Sequence, residues 1–149
     1  AFRNEKADVY KMNLYEKKEI RLTYEPGLDD GPEYSHDGKH IYYNSIASGN
    51  MEIWKMDQDG KNKIPLTNDK YSNWFPHPSP DGKYLVFISY LEDQGDKHPP
   101  LKKVMLRLMD LKSLKIKELF EFIGGQGTIN VPSWSKDGKK FAFVSYSKD

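Results

Sequence analysis

The chain has 149 residues, of which 37% are hydrophobic and 13% aromatic, and its 23 basic and 22 acidic residues leave a net charge of +1. Near-neutral charge gives no electrostatic footprint for nucleic acid or an anionic membrane surface, and no apolar run approaches the ~18 residues that insertion into a bilayer needs. With no cysteine, disulfides, thiolate catalysis and cysteine–zinc sites are excluded.

In chain order, "AFRN" (1–4) reads as the tail of a strand and "DVYKMN" (8–13) as the next strand. "PEYSHDGKHIYYNS" (32–45) is a short strand, an Asp-Gly tight turn and an alternating strand. Gly at such a turn takes positive φ cheaply. "EIWKMD" (52–57) follows, and "QDGKN" (58–62) turns into an outer strand, "KIPLT" (63–67). Pro65 is tolerable there because an outer strand has a free edge. "PHPSPDGKYLVFIS" (76–89) repeats the turn and the alternating strand. Apolar residues on both of its faces suit a sheet sandwiched between neighbours. "LEDQGDKHPPLK" (91–102) is polar, charged and Pro-rich, so it reads as a surface loop inserted into one repeat. "MLRLMD" (105–110) is a further strand. "LKSLKIKELFEFI" (111–123) could pass for a helix, but its place in the repeat predicts a turn and an outer strand. "PSWSKDGKKFAFVS" (132–145) closes the series.

Three segments therefore share Pro-x-x-Ser-x-Asp-Gly-Lys followed by alternating bulky residues and Ser. The first two copies, and the strands "DVYKMN" and "EIWKMD", are offset by 44 residues. Four short strands per 40 to 50 residues predict an all-β fold, a β-propeller of four-stranded antiparallel blades. The divisions are a half blade at 1–23, a blade at 32–67, a blade at 76–120 with the insertion 91–102, and a half blade at 132–149. That is about three blades' worth of strands, or half of a six-bladed ring. Three blades cannot close, so we expect the ring to need three further blades N-terminal to this chain or a second copy of it.

"YSHDGK", "PSPDGK" and "WSKDGK" resemble the WD40-like, or PD40, repeat of TolB-type β-propellers. The leading aromatic is Tyr34 and Trp134 but Pro78 in the middle copy, and His36 and Lys136 replace the usual Pro. The resemblance implies six blades, partner docking without catalysis, and a periplasmic or secreted bacterial setting.

Strand order puts the loops from outer strand to next inner strand on one face, the channel mouth, where propeller ligands bind. These loops and the start of the inner strands bring Asp29 and Asp30; Tyr71, Asn73, Trp74 and His77; and Gln126, Thr128 and Asn130. The candidate ligand-binding set is His77, Trp74, Asn73, Gln126, Asn130 and Asp30. Each has a structural alternative: His77 as a channel-lining histidine bonded to backbone or water, Trp74 as packing between blades, Asp29–Asp30 as turn chemistry. Asp37, Asp81 and Asp137 recur in every copy and are expected to cap their turns. His36 and His40 flank a turn on the opposite face and are expected to be exposed.

No catalytic residue is assigned, because the chain has no Gly-x-Ser-x-Gly elbow, no His-Glu-x-x-His helix and no phosphate-binding glycine loop. The first reading is thus a binding module for a protein, a peptide or a small ligand, with no cofactor. The alternative is a carbohydrate-active propeller resembling oligogalacturonate lyase. A divalent metal would then sit in the channel, with His77 and Gln126 as candidate ligands. The propeller domain of a prolyl-oligopeptidase-like hydrolase is a third possibility, requiring a catalytic domain outside this chain.

Overall fold

In the computed structural model, which describes residues 2–3 and 6–147, every regular element is a β-strand. β1 (Phe2–Arg3) pairs with β2 (Lys6–Ala7), and β3 (Tyr10–Asn13) pairs with β4 (Lys18–Arg21). β5 (Asp29–Tyr34), β6 (His40–Ser45), β7 (Glu52–Asp57) and β8 (Ile64–Pro65) form one four-stranded antiparallel sheet in sequence order. β9 (Ser72–Pro78), β10 (Tyr84–Tyr90), β11 (Lys102–Asp110) and β12 (Ile116–Gly124) form a second. The stretch once open to a helical reading is the turn into β12 and most of β12 itself. The last segment turns back on itself through an isolated bridge, Trp134 to Phe141. Ala1, Asn4, Lys148 and Asp149, at the ends of the expected half blades, lie outside the described residues.

The core lies between sheets. Along β6, Ile41 and Tyr43 enter a cluster with Met56 of β7 and with Val9 and Leu22 from the N-terminal segment. Tyr42 points the other way, to Ile53, Leu85, Phe87 and Met109. Along β10, Leu85 and Phe87 join that second cluster, and Val86 and Ile88 join a third with Trp74, Val104 and Ile129. Strand periodicity of two thus feeds both neighbours of each blade. At the outer ends of the stack large apolar side chains are exposed, Met12, Leu14, Tyr15 and Ile20 on one side and Phe120, Phe143 and Val144 on the other.

The repeated turn has one design used three times. The Ser79 hydroxyl donates to Asp81 Oδ1 at 2.6 Å, Lys83 N–H donates to the same oxygen at 3.1 Å, and Tyr84 N–H donates to Ser79 Oγ at 2.9 Å. Ser35–Asp37 and Ser135–Asp137 make the same three bonds. Gly38, Gly82 and Gly138 sit at φ of 72°, 72° and 69°, which Gly adopts without Cβ strain. Bonds from the serine hydroxyl, then from the backbone N–H of the following Lys, hold the Asp37, Asp81 and Asp137 carboxyls below the usual range. The sign follows from linkage. A depressed carboxyl stabilises the fold above its unfolded pKa, and the contribution is lost as pH falls through the folded value. The melting temperature should therefore fall between about pH 5 and about pH 3. Asp81→Asn should fall less over that interval, and an unchanged pH slope would refute the cap.

The inner strands carry a second repeated device. The register of β5 on β6 shifts between Asp30 and Glu33, and that of β9 on β10 shifts opposite Val86/Ile88. At these bulges Gly31 (φ 61°) and Phe75 (φ 56°) occupy the same repeat position. Phe75 keeps this conformation with its N–H donating to Asn44 Oδ1 at 3.2 Å and its ring buried against Trp74.

Candidate functional site

Six candidates separate into an internal group and a surface group. His77 is 4% exposed and joins three successive inner segments. Its Nδ1 meets the Glu33 carboxylate, and Glu33 holds the same repeat position in β5 that His77 holds in β9. Its Nε2 donates to the Ile129 carbonyl, and Trp134 Nε1 donates to the His77 carbonyl at 2.9 Å. Both ring nitrogens are thus engaged within the protein. With both nitrogens engaged, the ring offers no lone pair to a metal unless Glu33 or Ile129 gives way.

Trp74 is fully buried, and its Nε1 donates to Ser72 Oγ at 3.0 Å. Its ring meets Phe75 and the His98 ring, the latter edge-on at 4.7 Å. His98 belongs to the inserted loop, which therefore folds inward at this point. Tyr90 O–H and Gln126 N–H both donate to the Pro99 carbonyl, at 2.8 and 3.2 Å. The polar part of the loop, Glu92, Asp93, Asp96 and Lys97, has exposed residues throughout.

Asn73 spends its amide on a buried network. Nδ2 donates to Glu52 Oε2 at 2.8 Å, to Asp69 Oδ1 at 3.1 Å and to Thr67 Oγ1 at 3.3 Å. Oδ1 accepts from the Ser89 hydroxyl at 2.6 Å and from Arg107 Nη1 at 3.3 Å. Arg107 pairs with Asp69 at 2.7 Å and lies over the rings of Tyr71 and Phe87. Glu52 also accepts from Thr67, from Asn50 and from Asp69 N–H. A network in which every charge meets a partner of opposite sign or a donor rigidifies a core.

The surface group is different. Gln126 is exposed, and its carbonyl accepts from Tyr146 O–H at 2.7 Å. Asn130 Oδ1 accepts from Gly127 N–H at 2.9 Å and closes its own loop. Asp30 is half-buried and lines a cavity of about 650 Å³ with Asp8, Asp29, Asp96 and His98. This cavity draws on residues 7–10, on Leu28 and the start of β5, and on the loop between β10 and β11, and Lys97 lines it beside the carboxylates. It sits on the face where the outer-to-inner loops emerge.

His36 is exposed as expected, whereas His40 is half-buried with Nδ1 3.2 Å from Asp57. Sequence reasoning missed Glu33, Glu52, Asp69 and Arg107 altogether. A signal for part of this set existed. At the 44-residue offset, Asp8, Thr23, Asp29 and Ser45 align with Glu52, Thr67, Asn73 and Ser89. Val9 N–H donates to Thr23 Oγ1 as Ile53 N–H donates to Thr67 Oγ1, each at 2.9 Å. Among the described residues no three of the His, Asp and Glu side chains converge as a metal-ion cluster.

The family model described as the TolB beta propeller domain, PD40, matches residues 1–97. An uncharacterized protein of Agrobacterium fabrum is 45% identical over 97% of this chain and 49% of its own length. A structure from Agrobacterium tumefaciens, described as that of a TolB candidate, superposes with a TM-score of 0.93 at 43% identity, over 99% of this chain and 53% of that one. The chain thus spans about half the length of these relatives. The oligogalacturonate lyase of Vibrio parahaemolyticus superposes with a TM-score of 0.60 at 15% identity, over 80% of this chain and 35% of that one. That likeness is one of fold alone. The repeated turn, the bulged inner strands and the match over most of the chain lead to one conclusion: this chain belongs to the PD40 family of TolB-type β-propellers.

Proposed function

We propose that this chain is part of a non-catalytic binding module that docks a protein or peptide partner on its channel face. The observation that carries the reading is the cavity where three successive blades meet at the channel mouth, lined by Asp30 and the inward-folded His98. Concave sites where loops of several elements converge on a rigid scaffold are where propellers bind ligands. Kinship with TolB supports a partner-docking role and, with it, a periplasmic setting.

The test uses the full-length protein with a photo-crosslinking residue placed at Asp96 on the cavity side or at Lys112 in a turn on the opposite face. A single discrete adduct from position 96, reproduced with the purified partner and absent from position 112, is the expected result. Adducts from position 112 alone would overturn the reading.

Ring closure belongs to the same proposal. Apolar side chains exposed at both ends of the stack fit faces that further blades cover. Expressed alone, the 17.3 kDa chain should elute as a dimer or larger on size exclusion with light scattering. A stable, well-folded monomer would refute closure.

A further inference from the structure

Pro78 breaks the repeat. The other two copies carry an aromatic residue at this place, Tyr34 and Trp134. Trp134 shows what such a ring does. Together with Phe141, edge-on to it at 5.3 Å, it packs against the cluster that holds Val86, and its Nε1 donates to the His77 carbonyl. Leu108 stands opposite Val86 in the register of β10 on β11 and packs against the same cluster. That interface is apolar where the ring covers it.

One interface earlier, between the sheet of β5–β8 and the sheet of β9–β12, the same places are filled differently. Pro78 replaces Trp134, Tyr42 replaces Val86, and Lys55, opposite Tyr42 in the register of β6 on β7, replaces Leu108. Beside the cluster of Tyr42, Leu85 and Met109, the two sheets leave a cavity of about 500 Å³ among the turns of the face opposite the channel mouth. Pro78, Pro80 and Leu111 give it an apolar wall, and Tyr42 and Lys55 line it from the facing sheet.

The polar ends of these two side chains have no partner within the fold. Tyr42 is 5% exposed, and its hydroxyl makes no hydrogen bond among the described residues. Burial, and then the Asp37 charge, pushes its phenol up, so it stays a neutral donor. Lys55 is half-buried and makes no ion pair or hydrogen bond among the described residues, whereas its counterpart one repeat earlier, Lys11, donates to the Gln58 carbonyl at 2.9 Å. The other charged groups around the cavity are engaged or at its edge. Asp37 and Asp81, both exposed, spend Oδ1 on the hydroxyl and N–H of their own turns, and His40 Nδ1 stands 3.2 Å from Asp57. His36 is exposed. The cavity thus lacks a ring where the repeat has one, and carries an ammonium and a hydroxyl where the repeat has apolar carbon.

We propose that this cavity binds a planar aromatic carboxylate, its ring on the ground that the Trp134 ring covers in the next interface and its carboxylate on Lys55 and the Tyr42 hydroxyl. The volume is in the range of small-molecule sites. Burial of the ring supplies affinity, and charge-assisted hydrogen bonds fix its orientation. The site faces away from the channel mouth, so it goes beyond the docking reading and does not depend on it.

Calorimetric titration of the full-length protein tests this with indoleacetate and with the dipeptide Gly-Trp, which presents the same ring and carboxylate from a peptide. Indole without the carboxylate is the control. One-to-one binding of at least one acid is expected, with indole at least about tenfold weaker. Binding of both acids identifies ring and carboxylate as sufficient; binding of the dipeptide alone identifies a peptide source. Pro78→Trp supplies the ring from the chain itself and should abolish binding. If that variant does not fold, Lys55→Leu, which installs the residue of the next interface, decides the matter by removing the preference for the acids over indole. The proposal is overturned if neither acid binds, if indole binds as tightly as the acids, or if either folded variant binds like the parent. Channel-face crosslinking reads the opposite side of the molecule, so either proposal can fail without the other.

Discussion

His77→Ala should lower the unfolding free energy of the full-length protein by about 1 to 3 kcal/mol, the scale of leaving a buried hydrogen-bonding group without its partner. The cause is positional. His77 ties Glu33 of β5 and the Ile129 carbonyl to β9, so one ring holds three successive inner segments. Alanine leaves a carboxylate at the channel and a buried carbonyl without their donor, and unsatisfied groups cost more than an absent bond. Denaturant titration measures the loss. His77→Gln, which keeps one donor, should recover part of it. A variant that unfolds like the parent would refute the latch and return His77 to the role of a free channel residue.

Trp74→Ala should cost about 3 to 5 kcal/mol, the range for truncating a large buried aromatic. Trp74 has no exposed surface and supports both the Phe75 ring at the bulge and the His98 ring of the inserted loop. The loss should therefore be accompanied by faster proteolysis within residues 91–101. Trp74→Phe should cost markedly less and keep the loop protected. If Trp74→Ala were as stable as the parent but impaired in ligand binding, the side chain would be a stacking platform and the packing account would be wrong.

These two residues show where sequence reasoning stops. Both stood out because their sister copies share only the proline of the motif, and that contrast suggested a ligand. The contrast has another source. Glu33 and His77 differ between copies because they bond to each other across adjacent inner strands, so unlike residues are required at like positions. Asn73 differs from Asp29 at the same repeat position, and its Oδ1 accepts from Arg107, whose counterpart in the preceding sheet by strand register is Trp54. Departure from a repeat marks a site where neighbouring blades must be complementary as readily as one where a ligand binds.

The sequence by itself determined the blade: its strand order, its Asp-Gly turns with their serine–aspartate caps, and the alternation that feeds cores on both faces. Each of these depends on residues within one repeat, where turn chemistry and a period of two act locally. Only the tertiary structure decided what the polar residues of the inner strands do. Their partners lie in other blades, 44 residues from Glu33 to His77, 52 from His77 to Ile129 and 34 from Asn73 to Arg107. It also turned the inserted loop inward onto Trp74 and Phe75, and it left Asp8 Oδ1 and Asp29 Oδ2 buried without a hydrogen-bond partner among the described residues. Contacts across blades depend on how sheets stack, and stacking is set by side-chain packing between segments that no local pattern relates.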